Sequence, residues 1–400
     1  MNAQAMIWRR RSGGPAGRAP SDPSGILVRD APTRREVGRL TRGSLSTTGG
    51  PRPRVLFYAM YDSSKPSNAP RVRIRMLQAA MARHADLVLI GGSPRQRLGP
   101  AIAFLLRAGP WRVDAAYVET ATTAAMPWDL AVLAMVRSAA RPVGIFFRDA
   151  YQLFRGIYAR RGPRAWLSDA AWRITTAALR RLSSVRFAPS QGLADLLRLR
   201  AAVLLPPGTD PTSPDLGVGD RPLVAYVGAR SDAIGFDRLL DAMTLVRSER
   251  PDVRLLAIGP ASQRDGALPS WVELLTADRD ELAEALRPVR VCVIPLPINA
   301  YTDLARPVRL TDFLAFGKPI VATDTRETHA VLGPGEAGLL VDDAPSAIAG
   351  GLLRVLGDDR LATRLAQSAR ALACDPRMTW EDRAQEALTS LLGSRWQTDG

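Results

Sequence analysis

Short apolar runs alternate with stretches of helical periodicity throughout the chain, and this alternation limits the folds available to it. In the first half the apolar runs are 54–60, 87–90, 115–118, 143–147, 185–188 and 203–205. The helical patterns between them are 71–84, 98–108, 127–139, 163–182 and 190–199. Continuous apolar runs are typical of strands buried on both faces. Strands alternating with helices predict a parallel sheet that is doubly wound.

The second half repeats the scheme. Its predicted strands are 223–227, 253–258, 272–275, 291–294, 320–322 and 338–341, and its helices include 236–250, 280–286, 345–356, 358–372 and one from residue 379. We therefore expect an α/β protein with two Rossmann-like domains facing across a cleft. Ligands bind outside the carboxyl ends of parallel strands, so the cleft is the expected site.

Domain limits follow from composition. Residues 1–53 are rich in Arg, Gly, Pro and Ser and predict a disordered basic tail. We expect a first domain at 54–205, a linker of turn-forming residues at 206–222 and a second domain at 223–378. A last helix and tail then occupy 379–400.

Composition excludes several classes of protein. The chain has two His and two Cys, which argues against a His/Cys metal site and a Ser-His-Asp hydrolase. We see no membrane-spanning run and no secretory signal, and therefore expect a cytoplasmic protein. No G-x-G-x-x-G follows the first strand, which argues against a dinucleotide-dependent dehydrogenase. The net charge of +15 indicates an anionic partner, or a basic surface that only aids solubility.

The most informative stretch is RPVRLTDFLAFGKPIVATD, residues 306–324. It predicts a helix that begins near Pro307, a turn at Gly317 and a buried strand. Arg309 and Asp312 are three residues apart on this helix and share a face. A cation close to a helix start and a carboxylate beside it are suited to a nucleotide, since the helix start also attracts phosphate.

A second phosphate-binding feature is predicted after the first strand of the second half. The loop GARSDAIG, which begins at Gly228, opens a helix and carries Arg230. Glycine lets the backbone approach an anion closely, and Arg230 would face a diphosphate. A plain turn with a solvated Arg is the alternative. Lys318 lies in the turn before a strand, and we expect it near the cleft as a further donor-binding cation.

These stretches resemble the nucleotide-sugar half of GT-B glycosyltransferases, and most closely the group that includes the xanthan glucuronosyltransferase. The resemblance covers roughly residues 54–392 in fold, and SQGLADLLRLRAAVLLPPGTD resembles the block at the hinge. It implies that Asp312 binds the nucleotide ribose and that Arg309 faces the diphosphate or sugar. It also implies that the last helix crosses back to the first domain. Eight residues before Asp312 the chain has Leu304, where the retaining branch carries Glu, which favours an inverting enzyme.

The segment FFRDAYQLF resembles a block of the same relatives in which Asp149 occupies the place of the proposed base. Arg148 precedes it and, as a neighbouring cation, could hold Asp149 ionised at neutral pH in the catalytic step. Asp149 at the end of a strand could accept the proton of an acceptor hydroxyl. Capping the following helix is the alternative role. The acceptor-binding candidates near the first strand are Lys65, Asn68, Arg71 and Arg73, and a solvated basic face is their alternative.

The sequence therefore predicts a metal-independent and cofactor-independent transfer of sugar from a nucleoside diphosphate sugar, such as a UDP-sugar, to a polysaccharide, glycolipid or small-molecule acceptor. The helix at 163–182 is expected to have Trp166, Ala170 and Ile174 along one apolar face. It carries two Trp and several Arg and could lie on an anionic membrane, although burial of its apolar face is the commoner outcome. A nucleotide-sugar 2-epimerase is the alternative enzyme. A basic nucleic-acid-binding protein is the alternative of another class, but the arginines are dispersed and aromatic residues are only 6%.

Overall fold

The structure is a computed structural model, and it describes residues 52–62, 69–154, 156–157, 162–260, 268–277 and 279–393. The predicted tail, apart from Arg52 and Pro53, lies outside these residues. Both of those residues are attached to the first domain. The Arg52 guanidinium donates to the Ala82 carbonyl at 2.7 Å, and the Pro53 carbonyl accepts from Asp86 N at 2.9 Å.

The first domain is built on a six-stranded sheet in which all neighbouring strands are parallel. The strands are β1 (Arg54–Ala59), β2 (Asp86–Gly91), β3 (Ala115–Glu119), β4 (Val143–Phe146), β5 (Val185–Ala188) and β6 (Val203–Leu204), in the order β2-β1-β3-β4-β5-β6. The helices are α1 (Ala69–Met81), α2 (Pro94–Leu106), α3 (Pro127–Ser138), α4 (Pro163–Leu182) and α5 (Gln191–Leu196). The direction of winding reverses between β1 and β3, which is where such folds bind ligands.

The second domain has a parallel six-stranded sheet of its own. Its strands are β7 (Arg221–Val227), β8 (Arg254–Ile258), β9 (Val272–Leu275), β10 (Val289–Ile294), β11 (Ile320–Thr323) and β12 (Leu339–Val341), in the order β12-β11-β10-β7-β8-β9. Its helices are α6 (Phe236–Glu249), α7 (Arg279–Leu286), α8 (Val308–Ala315), α9 (Arg326–Leu332), α10 (Pro345–Gly357) and α11 (Asp359–Ala373). The predicted fold class is confirmed. Since β7 begins at Arg221, the last two residues of the predicted linker are strand.

Both faces of each sheet are buried. Along β1, Leu56 and Tyr58 pack in one apolar cluster, while Val55 and Phe57 pack in the cluster on the opposite face. This burial explains why the strands are continuous apolar runs instead of alternating ones.

The last helix, α12 (Trp380–Leu392), belongs to the core of the first domain. Trp380, Ala384 and Leu388 pack in the same cluster as Val55 and Phe57 of β1. The crossing back of this helix, which the resemblance implied, is therefore confirmed. The two domains are consequently joined by two chain segments, the linker and the segment before α12.

Among the described residues, none of the helices combines the length and the apolar composition that a membrane span requires.

Candidate active site

A cavity of about 250 Å³ lies between the two domains. Its wall on the first domain includes Arg73, Arg148 and Asp149, and its wall on the second domain includes Tyr301 and Pro307. The structure therefore brings predicted site residues of both domains to one cavity. Arg73 was predicted for the acceptor, Arg148 and Asp149 for catalysis, and Pro307 for the donor.

Asp149 follows β4 at the carboxyl edge of the first sheet. Its Oδ1 accepts a hydrogen bond from Ala150 N at 2.7 Å, and Tyr301 Oη of the second domain donates to its Oδ2 at 3.2 Å. Burial raises the pKa of the Asp149 carboxyl, opposed by the hydrogen bonds from Ala150 and Tyr301 and by the charge of Arg148. A carboxylate with a raised pKa is a stronger base, as proton abstraction requires.

Arg148 is held by a carboxylate other than Asp149. Its Nη2 lies 2.6 Å from Glu119 Oε2, and its Nε donates to the Thr120 carbonyl at 3.3 Å. We had expected Arg148 to hold Asp149 ionised. Instead, burial outweighs the charge of Arg148, and the pKa of Asp149 is raised overall.

Glu119 lies at the same edge of the sheet and is not among the predicted site residues. It is fully buried at the end of β3, and its oxygens accept from Arg73 Nε at 3.1 Å, Tyr117 Oη at 2.8 Å and Arg148. The signal was present in the sequence, because Glu119 directly follows the apolar run 115–118, as Asp149 follows 143–147. An acidic residue that follows a buried strand lies at the carboxyl edge of the sheet.

The other acceptor candidates do not join the cavity wall in this way. Arg71 Nε donates to the Asp62 carbonyl at 2.7 Å, and its guanidinium lies 5.6 Å from the Tyr61 ring centre. Lys65 and Asn68 lie outside the described residues.

The donor-binding candidates at the switch point of the second sheet come together. Gly228 follows β7 with φ of +149°, and a Cβ on it would lie 2.4 Å from Arg309 Nη1. Arg309, near the start of α8, donates from Nη1 to the Val227 carbonyl at 2.6 Å. Only glycine permits this approach, so the guanidinium packs directly on the loop backbone.

Two further donor candidates are largely buried. Arg230 is 6% exposed and donates from Nη2 to the Pro260 carbonyl at 2.6 Å, which places it beside the carboxyl end of β8. Asp312 is 8% exposed on α8, one turn after Pro307 and Arg309. Their contacts with a donor remain predictions.

Lys318 does not lie at the cleft, and this prediction is corrected. It precedes β11 and therefore lies at the amino edge of the second sheet, opposite the edge that carries Gly228. It is fully buried beside Cys292, and its Nζ has no hydrogen-bond partner in the part of the chain that the structure describes. The sequence shows that Lys318 lies in a turn. Turns that follow the carboxyl end of a strand lie at the cleft, whereas this turn precedes a strand.

Comparison with known proteins bears on the fold and on the second domain. Residues 221–358 match the model of a family described as Glycosyl transferases group 1. The chain is 29% identical over 183 residues to a D-inositol 3-phosphate glycosyltransferase of Jonesia denitrificans, an alignment that covers 42% of each chain. It thus spans less than half the length of that curated relative.

Solved structures resemble the chain over both domains. Sucrose-phosphate synthase from Thermosynechococcus elongatus superposes with a TM-score of 0.61 at 15% identity, covering 84% of this chain and 97% of that one. HepE of Anabaena, solved in complex with UDP and glucose, superposes with a TM-score of 0.59 at 16% identity, covering 86% and 100%. The chain therefore has the two-domain GT-B fold, and its second domain matches the group 1 family of glycosyl transferases.

Proposed function

We propose that this protein transfers a sugar from a nucleoside diphosphate sugar to a hydroxyl group of an acceptor. The observation that carries the proposal is the shared cavity. It joins the first turn of α8, through Pro307 and Val308, to the buried carboxyl of Asp149. A donor bound at α8 would present its sugar to an acceptor beside a base.

The residues of the second domain would bind and stabilise the leaving group. The start of α8 offers backbone N–H groups and a positive dipole end. Arg309 adds a full positive charge beside the backbone of Gly228. Together they would neutralise the charge that develops on a nucleoside diphosphate as it departs.

Asp149 would take the proton of the attacking hydroxyl. Its position in the cavity and its raised pKa both suit a base. We also propose an inverting reaction, because Leu304 occupies the place of a second carboxylate and the adjacent Asp303 accepts from Arg326 N at 3.1 Å. The anomeric configuration of the product, read by proton NMR, tests this: retention would contradict it.

The alternative of a nucleotide-sugar 2-epimerase is disfavoured by the two histidines. His84 pairs with Glu381, and His329 Nδ1 lies 2.8 Å from Asp324 Oδ1. Neither His lines the cavity. An epimerase would convert a UDP-sugar without releasing UDP, whereas a transferase releases it, so assaying free UDP separates the two.

A thermal-shift screen of the whole chain against nucleotides and nucleotide sugars tests the proposal. A ligand that binds only the folded chain raises its melting temperature, by an amount that grows with ligand concentration relative to Kd. We expect a shift with UDP or another nucleoside diphosphate and none with the free nucleoside. The absence of a shift with every nucleoside diphosphate would contradict the proposal.

For the acceptor we propose a polysaccharide, a glycolipid or a small molecule, and for the place of reaction the cytoplasmic face of a membrane. The resemblance to the xanthan glucuronosyltransferase group supports the proposed acceptors. The outer face of α4 supports the proposed location at a membrane. Trp166 is 60% exposed, Ile174 is 71% exposed, and Arg173 and Arg181 are exposed between and beyond them.

This face differs from the expected one. We had predicted that Trp166, Ala170 and Ile174 form the apolar face of this helix, but Trp172 and Leu179 are the apolar residues that it buries. Aromatic residues beside arginines suit a membrane interface. The arginines near the end of the helix continue the basic surface; they are Arg180, Arg181, Arg186, Arg198 and Arg200.

Flotation with vesicles tests the membrane proposal. We expect binding to vesicles that contain anionic lipid, a steep loss of binding as salt rises, and weaker binding of Ile174→Ser. Equal recovery with neutral and anionic vesicles would contradict it.

A further inference from the structure

Arg73 is a buried arginine, and most of its guanidinium N–H groups have no acceptor among the described residues. It lies on α1, is 3% exposed and lines the cavity between the domains. Its Nε donates to Glu119 Oε1 at 3.1 Å, whereas Nη1 and Nη2 have no hydrogen-bond partner among the described residues. Guanidinium donors removed from water without a partner are costly to a fold, so this arrangement calls for an explanation.

The carboxylate that pairs with Arg73 is shared with a second arginine. Arg73 and Arg148 both pair with Glu119, one on each carboxylate oxygen, so one carboxylate serves two guanidiniums. Arg306 also lines the cavity, but Glu327 pairs with it at 2.8 Å. Asp149 is the remaining carboxyl in the cavity wall, and hydrogen bonds from Ala150 and Tyr301 already occupy its two oxygens.

Two aromatic rings fix the orientation of the Arg73 side chain. Its Cζ lies 3.7 Å from the centre of the Phe146 ring and 5.9 Å from that of Trp380. With Nε held by Glu119 and the Phe146 ring against the guanidinium, the edge that carries Nη1 and Nη2 has no hydrogen-bond partner within the described part of the chain. Two parallel N–H groups of a guanidinium match two oxygens of a carboxylate or a phosphate.

The position of this cluster in the sheet is that of a ligand site. Glu119 ends β3, at the point where the order of strands reverses beside β1. Open parallel sheets bind ligands at such a point. The corresponding point of the second sheet, beside Gly228, is the donor site of the proposed function.

We propose that the acceptor carries an anionic group, a phosphate monoester or a carboxylate, and that Arg73 binds it through Nη1 and Nη2. This inference rests on the proposed function. The anion would give Nη1 and Nη2 of Arg73 the partners that the described residues do not supply, and it would anchor the acceptor in the cavity that Asp149 lines. Anchoring by a remote group orients the reacting hydroxyl.

The test is calorimetric titration of the whole chain, first with UDP and then, at saturating UDP, with glucose, glucose 6-phosphate, glucuronate and inorganic phosphate. Saturating UDP blocks the donor site for phosphate. We expect at least one anionic probe to bind tenfold or more tightly than glucose. The phosphate and carboxylate probes decide between the two anion classes.

Variants then assign the site. We expect Arg73→Met to weaken binding of the anionic probe by tenfold or more and to leave UDP affinity unchanged. Arg75→Met is the matched control, because Arg75 is an exposed arginine on the same helix. It should change neither affinity.

Each outcome has one meaning. Equal affinity for glucose and for every anionic probe would overturn the inference, and so would unchanged binding by Arg73→Met. The first comparison uses the unmodified chain, so it decides even if Arg73→Met does not fold. Failure of UDP to bind would overturn the proposed function itself, whereas UDP binding without a preference for anions overturns only this inference.

Discussion

Tyr301 of the second domain donates a hydrogen bond to Asp149 of the first, with 3.2 Å between Oη and Oδ2. The bond crosses the cavity between the domains, and it ends on the carboxyl that we propose as the base. Tyr301 also packs edge-on against Phe154, with 5.4 Å between ring centres. The position of the second domain is thus coupled to the proton affinity of a residue in the first.

The first prediction concerns this hydrogen bond. Tyr301→Phe keeps the ring contact with Phe154 but removes the donor that favours ionised Asp149. The pKa of Asp149 should therefore rise further. A base works when deprotonated, so activity falls as pH falls through its pKa. We expect the acidic limb of the profile of kcat/KM against pH to move to higher pH. An unmoved limb would show that Asp149 does not set it.

The second prediction concerns the buried carboxylate of Glu119. Glu119→Gln leaves two buried guanidiniums, those of Arg73 and Arg148, without a countercharge. Breaking a buried ion pair from one side typically costs about 3–5 kcal/mol, and we expect a loss of this size in the free energy of unfolding. Denaturant titration measures it. Glu284→Gln, which removes the partner of Arg287 at the exposed surface, is the control and should show no measurable loss.

The third prediction concerns the contact between Gly228 and Arg309. Gly228→Ala would place a methyl group 2.4 Å from Arg309 Nη1 and push the guanidinium off the loop. We expect UDP affinity to fall by about 10-fold to 100-fold, the worth of one charge-assisted hydrogen bond. Gly350→Ala is the control, because a Cβ there meets open space on α10. If calorimetry gives both variants the same affinity as the unmodified chain, Gly228 is not part of the donor site.

The fourth prediction follows from the burial of Lys318 away from the cleft. Burial lowers the pKa of this lysine, which means that the fold disfavours its charge. Burying the charged ammonium therefore lowers the free energy of unfolding below the folded-state pKa, and this loss diminishes as pH rises through that pKa toward the unfolded value. Lys318→Met should raise the free energy of unfolding at pH 7 by about 1–3 kcal/mol. UDP affinity should not change, and a loss of affinity would restore Lys318 to the donor site.

The sequence was sufficient to predict the strands, because a buried parallel strand is a continuous apolar run whatever its neighbours are. It was also sufficient to predict the limits of α4, where Pro163 suits the first turn. It did not reveal which face of α4 is buried. Trp166 and Ile174 face outward while Asp169 and Trp172 face inward, and this choice depends on the packing of the rest of the domain.

Some residues near the cavity are predictable from local sequence pattern, and others depend on tertiary structure. Asp149, Gly228 and Arg309 each follow or open an element at a carboxyl edge, so local pattern alone places them. Tyr301 and Arg306 lie in a loop, and their roles depend on how close the two domains approach. The short helix α9 was not predicted, because seven residues with few apolar positions carry little periodicity.

The central claim is that Asp149 serves as the base for transfer from a donor bound on the opposite domain. The direct measurement is the release of UDP by Asp149→Asn, using the UDP-sugar that gives the largest thermal shift, together with donor affinity by calorimetry. Melting temperature is the control for folding. Burial raises the pKa of Asp149, and the resulting cost to the fold grows as pH rises toward and through that pKa, so the Asn variant should melt at or above the unmodified chain at pH 7.

We predict that turnover falls by about a hundredfold to ten-thousandfold, the usual contribution of a general base, while donor affinity stays the same. Turnover of Asp149→Asn close to that of the unmodified chain, with the donor still bound, would contradict the account.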